Sequence, residues 1–423
     1  MKLLDDLYVS PTTLNAVENI KNRLLNEGYT ELVFKDKQEL KAGGKYFIIK
    51  NELAVVAFNI GSELNETSFN IVASHLDCPG LKLKPQPIVK TDGYVRLAVE
   101  QYGGAILYSW LDRPLSLAGR VMYQEENSIK SKVVNIDEDL LVIPSLAIHQ
   151  NREVNKGVEL KLSTDMLPVL GLKEDVDFKS YLTELTGINN IKDFDLYLYP
   201  RIKGTVWGKN KDLISSNHLD NLECAFTSLD AFVNATNNNH INVYAAFDNE
   251  EVGSNTAEGA DSTILKDTLM MIAKSLDLDY LETLNNSFLV SADNAHAIHP
   301  AHPEKSDPGN HPYMNEGIVI KQSSSKSYTG DGLTASILES IFDSANVKHQ
   351  RFNNNSDVRG GSTLGAIITS SVSILSADIG LATLAMHSSY ETGGLNDVDE
   401  MVKGLTKFYS VKLKFKKGTY SFE

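Results

Sequence analysis

Strand-like and helix-like segments alternate at both ends of the chain, and a stretch of different texture separates them. This interruption limits the accessible folds more than any other feature. Near the start, Leu14, Val17, Ile20, Leu24 and Leu25 recur at helical spacing up to Asn26, with Thr12 or Thr13 to cap and Gly28 to terminate. Strand-like runs follow at Lys45–Ile49, Leu53–Ile60 and Phe69–Ser74. From about Leu83 to Gly208 short alternating segments (Leu115–Tyr123, Lys132–Ile136, Leu140–Ile148, Asp195–Tyr199) lie between Gly, Pro and acidic turns, with one helix around Phe178–Leu185. After Asp212 the alternation resumes. Helices are predicted at His218–Ala235, Ser262–Leu276, Leu333–Ala345 and Asp397–Tyr409, and strands at Ile241–Phe247, Ser287–Ser291 and Gly317–Lys321. The pattern predicts an α/β domain over 1–82 plus 209–423, interrupted by a β-rich, antiparallel or barrel-like domain over 83–208.

Composition excludes several classes of partner. With 40 basic against 55 acidic residues the net charge is −15, which disfavours nucleic acid and anionic membrane. Apolar runs such as Leu53–Phe58 are too short to span a bilayer. The opening MKLLDDLYVSPTTLN carries acids where a secretion signal has a positive start, and cysteine is confined to Cys78 and Cys224. A cytoplasmic location is expected. Both thiols have acidic neighbours, Asp77 and Glu223, and are expected to be inert.

The chemistry is concentrated where strands end. Ile241–Phe247 runs into Asp248-Asn249-Glu250-Glu251-Val252-Gly253, two adjacent carboxylates at the mouth of an apolar strand. Unpaired charges there are costly, so a cation is expected to meet them. His75 follows Phe69–Ser74, Asp293 follows Ser287–Ser291, Asp220 stands at a helix entrance and His387 follows Ile379–Met386. Open α/β sheets build their sites at such strand ends. Imidazole with carboxylate, and no thiolate, suits zinc, cobalt or manganese. With Glu251, these donors are too many for one tetrahedral ion and suit two divalent ions that share a bridging carboxylate and a water. Glu250, beside ligand Glu251, is placed as a general base for that water. Asp77, two residues from His75, can hold the far imidazole nitrogen.

The motifs SHLDCPG, YGGAILYSWLDRPLSLAGRV, LAIHQNRE, FDNEEVGS, SADNAHAIHP, GGSTLG and LAMHSSYE occur in that order. In this the chain resembles the aspartyl aminopeptidase and aminopeptidase I family of dizinc metallo-aminopeptidases, from about residue 10 to the C-terminus. The resemblance implies a dizinc exopeptidase-like three-layer α/β/α domain interrupted by a β-rich dimerisation domain. It also implies a homo-oligomer, a dodecamer built from dimers, that removes N-terminal residues from peptides with a free N-terminus, acidic ones in the aspartyl branch. Carried over by motif, His75 and Glu251 are terminal ligands, Asp220 the bridging carboxylate, and Asp293 and His387 complete the two sites. Glu250 is the general base, and His149 reaches a neighbouring subunit's active site. Lys321 and Tyr328 fall at substrate-contact positions, although QSSSKSYTGDG departs from the commoner pattern, and Tyr390 stands where many relatives carry arginine. A broad or Leu-preferring aminopeptidase, or a dizinc N-deacylase, is the alternative activity.

Three features have plainer readings. Asp220 could cap the helix it opens, and His218 competes with it as a ligand. His296, His299, His302 and His311 form the densest histidine cluster, expected to order a Pro-rich loop or line an interface. Gly360-Gly361-Ser362-Thr363 resembles an anion-binding nest without its lysine, and is expected to be a tight turn bringing backbone near the substrate.

Overall fold

The computed structural model describes residues 1–423 except 65–66, 173–174, 238 and 359, so Asn238, in the middle of the Asn237–Asn239 loop signal, lies outside the described residues. Among the described residues the main sheet has nine strands, in the order Thr30–Glu31, Lys45–Lys50, Ala54–Ile60, Ile241–Phe247, Phe69–His75, Phe288–Ala292, Leu375–Gly380, Ile318–Lys321 and His349–Phe352. Ala54–Ile60, Phe69–His75, Ile241–Phe247 and Phe288–Ala292 are buried along their whole length. Continuous apolar runs are what strands covered on both faces require.

Helices supply that cover. Tyr244 and Ala246 point into a core shared with helices Thr13–Asn26, Leu219–Asn234, Gly332–Ser344 and Leu395–Ser410. Val243, Ala245 and Phe247 point into a second core with Ile264–Ser275 and Leu364–Ser371. The first of these helices starts as its sequence predicts: the Thr12 side chain accepts a hydrogen bond from the Asn15 backbone, and Gly28 follows the last turn at φ +81°.

A second sheet, antiparallel, runs Ser128–Asn135, Leu115–Glu125, Ile191–Pro200, Gly80–Thr91, Tyr94–Tyr102 and Val169–Leu172 around its own apolar cluster, which includes Trp110, Leu117, Phe194 and Leu196. One expectation needs correction here. Leu140–Ile148 is not a strand: only Leu141 and Val142 form single bridges, to Leu115 and Val169, and Pro144 has no N–H to continue a ladder. Conversely, Gly80–Thr91 and Tyr94–Tyr102 form a long hairpin that the sequence pattern hides. Pro85 and Pro87 interrupt the alternation, and the register shifts between Leu83 and Ile88, where they lie.

A third sheet, Thr205–Trp207, Leu213–Ser216, Glu391–Gly394, Ala382–Leu384 and Ala295–His296, flanks the main one. Among the described residues no helix is long and apolar enough to cross a membrane.

Candidate active site

Strand direction assembles the site. Phe69–His75 is parallel to both Ile241–Phe247 and Phe288–Ala292, and Phe247 pairs with His75. Their carboxyl ends therefore share one edge, which carries His75, the turn Glu250–Val252 and Asp293. Asp220 and His387 reach the same point from outside the main sheet. Asp220 sits in a non-helical break at the start of Leu219–Asn234, with φ −83° and ψ 108°. His387 adopts a left-handed φ of +68° just after Ala382–Leu384.

Asp220 does not cap its helix. The N-cap residue is His218, whose side chain makes no capping bond, and the Asp220 carboxylate turns to the site instead. Its two oxygens face different partners. Oδ1 lies 3.8 Å from His75 Nε2, which is also 3.8 Å from Asp293 Oδ1. Oδ2 lies 3.3 Å from His387 Nε2, which is 3.4 Å from Glu251 Oε1. The donor atoms of His75, Asp220 and Asp293, and those of Asp220, Glu251 and His387, each lie within 4.8 Å of one another. Asp220 Oδ1 is buried with no hydrogen-bond partner. A buried acceptor left without a partner costs about 1–3 kcal/mol, and more on a charged group. The donor set thus fits cations, and histidine with carboxylate is zinc chemistry.

Electrostatics agree. Burial pushes Glu251 up to about 10, with Asp220 adding to the effect and His75 opposing it. Burial also pushes Glu250 up to about 7; His75 works against this, while Asp293, Asp77 and Asp220 add to it. For His75 burial favours the neutral ring, but the neighbouring carboxylates of Asp293, Asp77 and Glu250 outweigh it and raise its pKa.

Around these donors lie further side chains. His75 Nδ1 meets the Asp77 carbonyl at 3.0 Å, closer than the Asp77 carboxylate at 3.4 Å. The expectation for Asp77 is refined accordingly: its backbone holds the ring, and its carboxylate accepts the N–H groups of Glu250 (3.1 Å) and Glu251 (3.0 Å). Glu391, which the motif reading missed, is buried and accepts from the backbone of Asp220 (2.9 Å) and of His387 (2.7 Å). Its only sequence signal was an acid four residues beyond His387.

Lys321 and Tyr328 both line the cavity over the donors, about 150 Å³, together with Gly361, Ser362 and Thr363. Lys321 is buried; its Nζ donates to the Asn294 carbonyl at 2.7 Å and lies 5.3 Å from the Tyr328 ring centroid. His296 also lines this cavity. Its cluster mates lie outside the lining: His299 stacks on His302 at 5.3 Å, and His311 bonds to Tyr313. His149 is in an exposed turn and is not among the residues lining this cavity. Burial raises the pKa of Cys78 and of Cys224, as inert thiols require. A larger cavity of about 250 Å³ lies behind Asp77, between Tyr102, Lys82 and Asp248, but contains none of the donor groups. Chemistry rather than size selects the site.

Known proteins resemble this chain over nearly its whole length. The family model for the aminopeptidase I zinc metalloprotease (M18) matches residues 7–409. A protein of Clostridium acetobutylicum named "Probable M18 family aminopeptidase 2" is 42% identical over 97% of this chain and 98% of its own. Among solved structures, the complex of Ape4 with Nbr1 superposes with TM-score 0.92 at 32% identity, covering 96% of this chain and 84% of that one. The mApe1 dodecamer of Saccharomyces cerevisiae superposes with TM-score 0.83 at 26% identity, covering 96% and 95%. The chain belongs to the M18 family of zinc aminopeptidases and, like its homologues, is a hydrolase.

Proposed function

We propose that this aminopeptidase removes acidic N-terminal residues from peptides with a free N-terminus, using two zinc ions and Glu250 as the general base. The observation that carries the reading is Asp220, whose two oxygens face two separate donor pairs, His75 with Asp293 and Glu251 with His387. Bound there, divalent ions supply Lewis acidity and lower the pKa of water. Glu250 takes the proton of the attacking water and returns it to the leaving amine. Lys321 and Tyr328 hold the substrate, and Lys321 is the only lysine or arginine among the described residues lining the cavity. With a net charge of −15 on the chain, recognition of an acidic side chain needs such a local cation.

The same reading takes 83–208 as a barrel-like dimerisation domain and 1–82 plus 209–423 as the catalytic domain. The separate apolar cluster of the antiparallel sheet supports this, as do the bridges of Leu141 and Val142 to its strands, with Gly80–Thr91 crossing between the two parts. His149, exposed on that domain, completes the site of a neighbouring subunit in a cytoplasmic dodecamer.

Glu250→Gln tests the chemistry. Turnover is abolished while metal content stays near two ions per chain; loss of metal with activity would mean that the two glutamates have exchanged roles. Specificity is read from Asp, Glu and Leu aminoacyl substrates with and without chelator. Leu exceeding Asp and Glu would sink the acidic assignment, and cleavage of N-acetylated substrates would point to a deacylase.

A further inference from the structure

The antiparallel sheet ends against the donor loops. Strand Tyr94–Tyr102 leads directly into Gly103 and Gly104. The Tyr102 hydroxyl donates to Asp77 Oδ2 at 2.7 Å and accepts from Asn249 Nδ2 at 2.9 Å. Asp77 in turn accepts the backbone N–H groups of Glu250 and Glu251. One phenol therefore ties the loop after His75 to the turn that carries both glutamates. The ring is itself held, edge-to-face on Tyr197 with centroids 5.8 Å apart.

The next residues close on the donors from the other side. Gly103 has φ +63°, and a Cβ there would lie 3.0 Å from the Glu251 Cβ. The Gly104 carbonyl faces His387 Nδ1 at 3.2 Å, and a Cβ on Gly104 would lie 3.2 Å from that nitrogen. Ile106 donates its N–H to the His387 carbonyl at 3.0 Å. A Cβ at 103 or 104 would require Glu251 or His387 to give way by a few tenths of an ångström.

We propose that Tyr102 is a positioning residue for the metal centre, acting through Asp77 to fix the Glu250–Glu251 turn while Gly104 beside it fixes the His387 ring. The inference rests on the reading of Glu251 and His387 as ligands and Glu250 as base. Loss of a hydrogen-bond partner of a metal ligand typically lowers metal affinity or activity about 10–100-fold, and Tyr102, one bond further out behind Asp77, is expected at or below the lower end.

Tyr102→Phe in the zinc-loaded enzyme tests it, because the ring and its packing are kept and only the hydroxyl is removed. Zinc affinity, measured by chelator competition, should fall by about 3- to 10-fold. The visible spectrum of the Co²⁺-substituted protein should change, and kcat should fall while KM stays within about twofold. Parental affinity and spectrum together would overturn the proposal, even if the variant melts at a lower temperature. Adding Tyr102→Phe to Asp77→Asn should cost less than about twofold more, and full additivity would likewise refute action through Asp77. Glu250→Gln separates the two readings. If it stays active the base assignment fails, whereas a weakened zinc affinity in Tyr102→Phe still supports the positioning role.

Discussion

Replacing Glu391 by glutamine changes one heavy atom of a buried side chain and, where that side chain is ionised, should disable much of the site. Glu391 uses both carboxylate oxygens, one on the Asp220 N–H and one on the His387 N–H. Glutamine has a single acceptor oxygen, so its NH₂ must face one of those backbone donors. A hydrogen bond to a charged group contributes about 1.5–3 kcal/mol, and a buried donor left without an acceptor costs about 1–3 kcal/mol. If either amount is lost from the loaded state, at about 1.36 kcal/mol per factor of ten, zinc affinity falls about 5- to 150-fold. Burial, followed by repulsion from Asp220, raises the Glu391 pKa well above the ordinary carboxylate range, although its two N–H bonds oppose the rise. The two sets of effects therefore predict different behaviour. If the N–H bonds and bound cations keep the group ionised, Glu391→Gln weakens zinc and lowers kcat together. If the group is already neutral, the variant is close to silent. Chelator competition, with kcat measured at saturating zinc, decides. Affinity and kcat both within about twofold of the parent would refute the reasoning that an ionised Glu391 holds Asp220 and His387.

Two further outcomes are expected. His240 is buried with Nε2 2.7 Å from the Tyr409 carbonyl, and burial holds its pKa below the ordinary 6.5. The unfolded chain therefore binds the proton more readily, so this contribution is full above pH 6.5 and is lost as pH falls below it. Denaturant melts at pH 7 and pH 5 should show a smaller loss in His240→Gln than in the parent, and an equal loss would contradict the assignment. Gly380→Ala would place a Cβ 1.9 Å from the Asp293 carbonyl oxygen. It should cost about 1–3 kcal/mol in thermal or denaturant unfolding and also weaken zinc, because Asp293 must move; unchanged stability would show that the strand edge yields freely.

Much of the architecture was legible because it depends on local patterning. The runs at Ala54–Ile60, Phe69–His75 and Ile241–Phe247 are apolar enough to be strands buried on both faces, and Thr12 with Gly28 marks a helix start and stop. The antiparallel sheet was less legible. Its hairpin carries prolines at the register shift, and Leu141 and Val142 have strand-like residues but only single bridges. In both places long-range pairing overrode local pattern.

Sequence by itself determined the donor chemistry: histidine and carboxylate without thiolate, placed at strand and helix ends, with Glu250 and Glu251 adjacent. Tertiary structure alone decided how those groups divide. The two oxygens of Asp220 acquire different neighbours only when His75, Asp293, Glu251 and His387 converge from separate elements. Glu391 lies 171 residues from the N–H it accepts at Asp220, and Asn249 lies 147 from Tyr102. Hydrogen-bond partners so far apart leave no periodicity or spacing in the chain, because the sheet that brings them together is set by burial rather than by them.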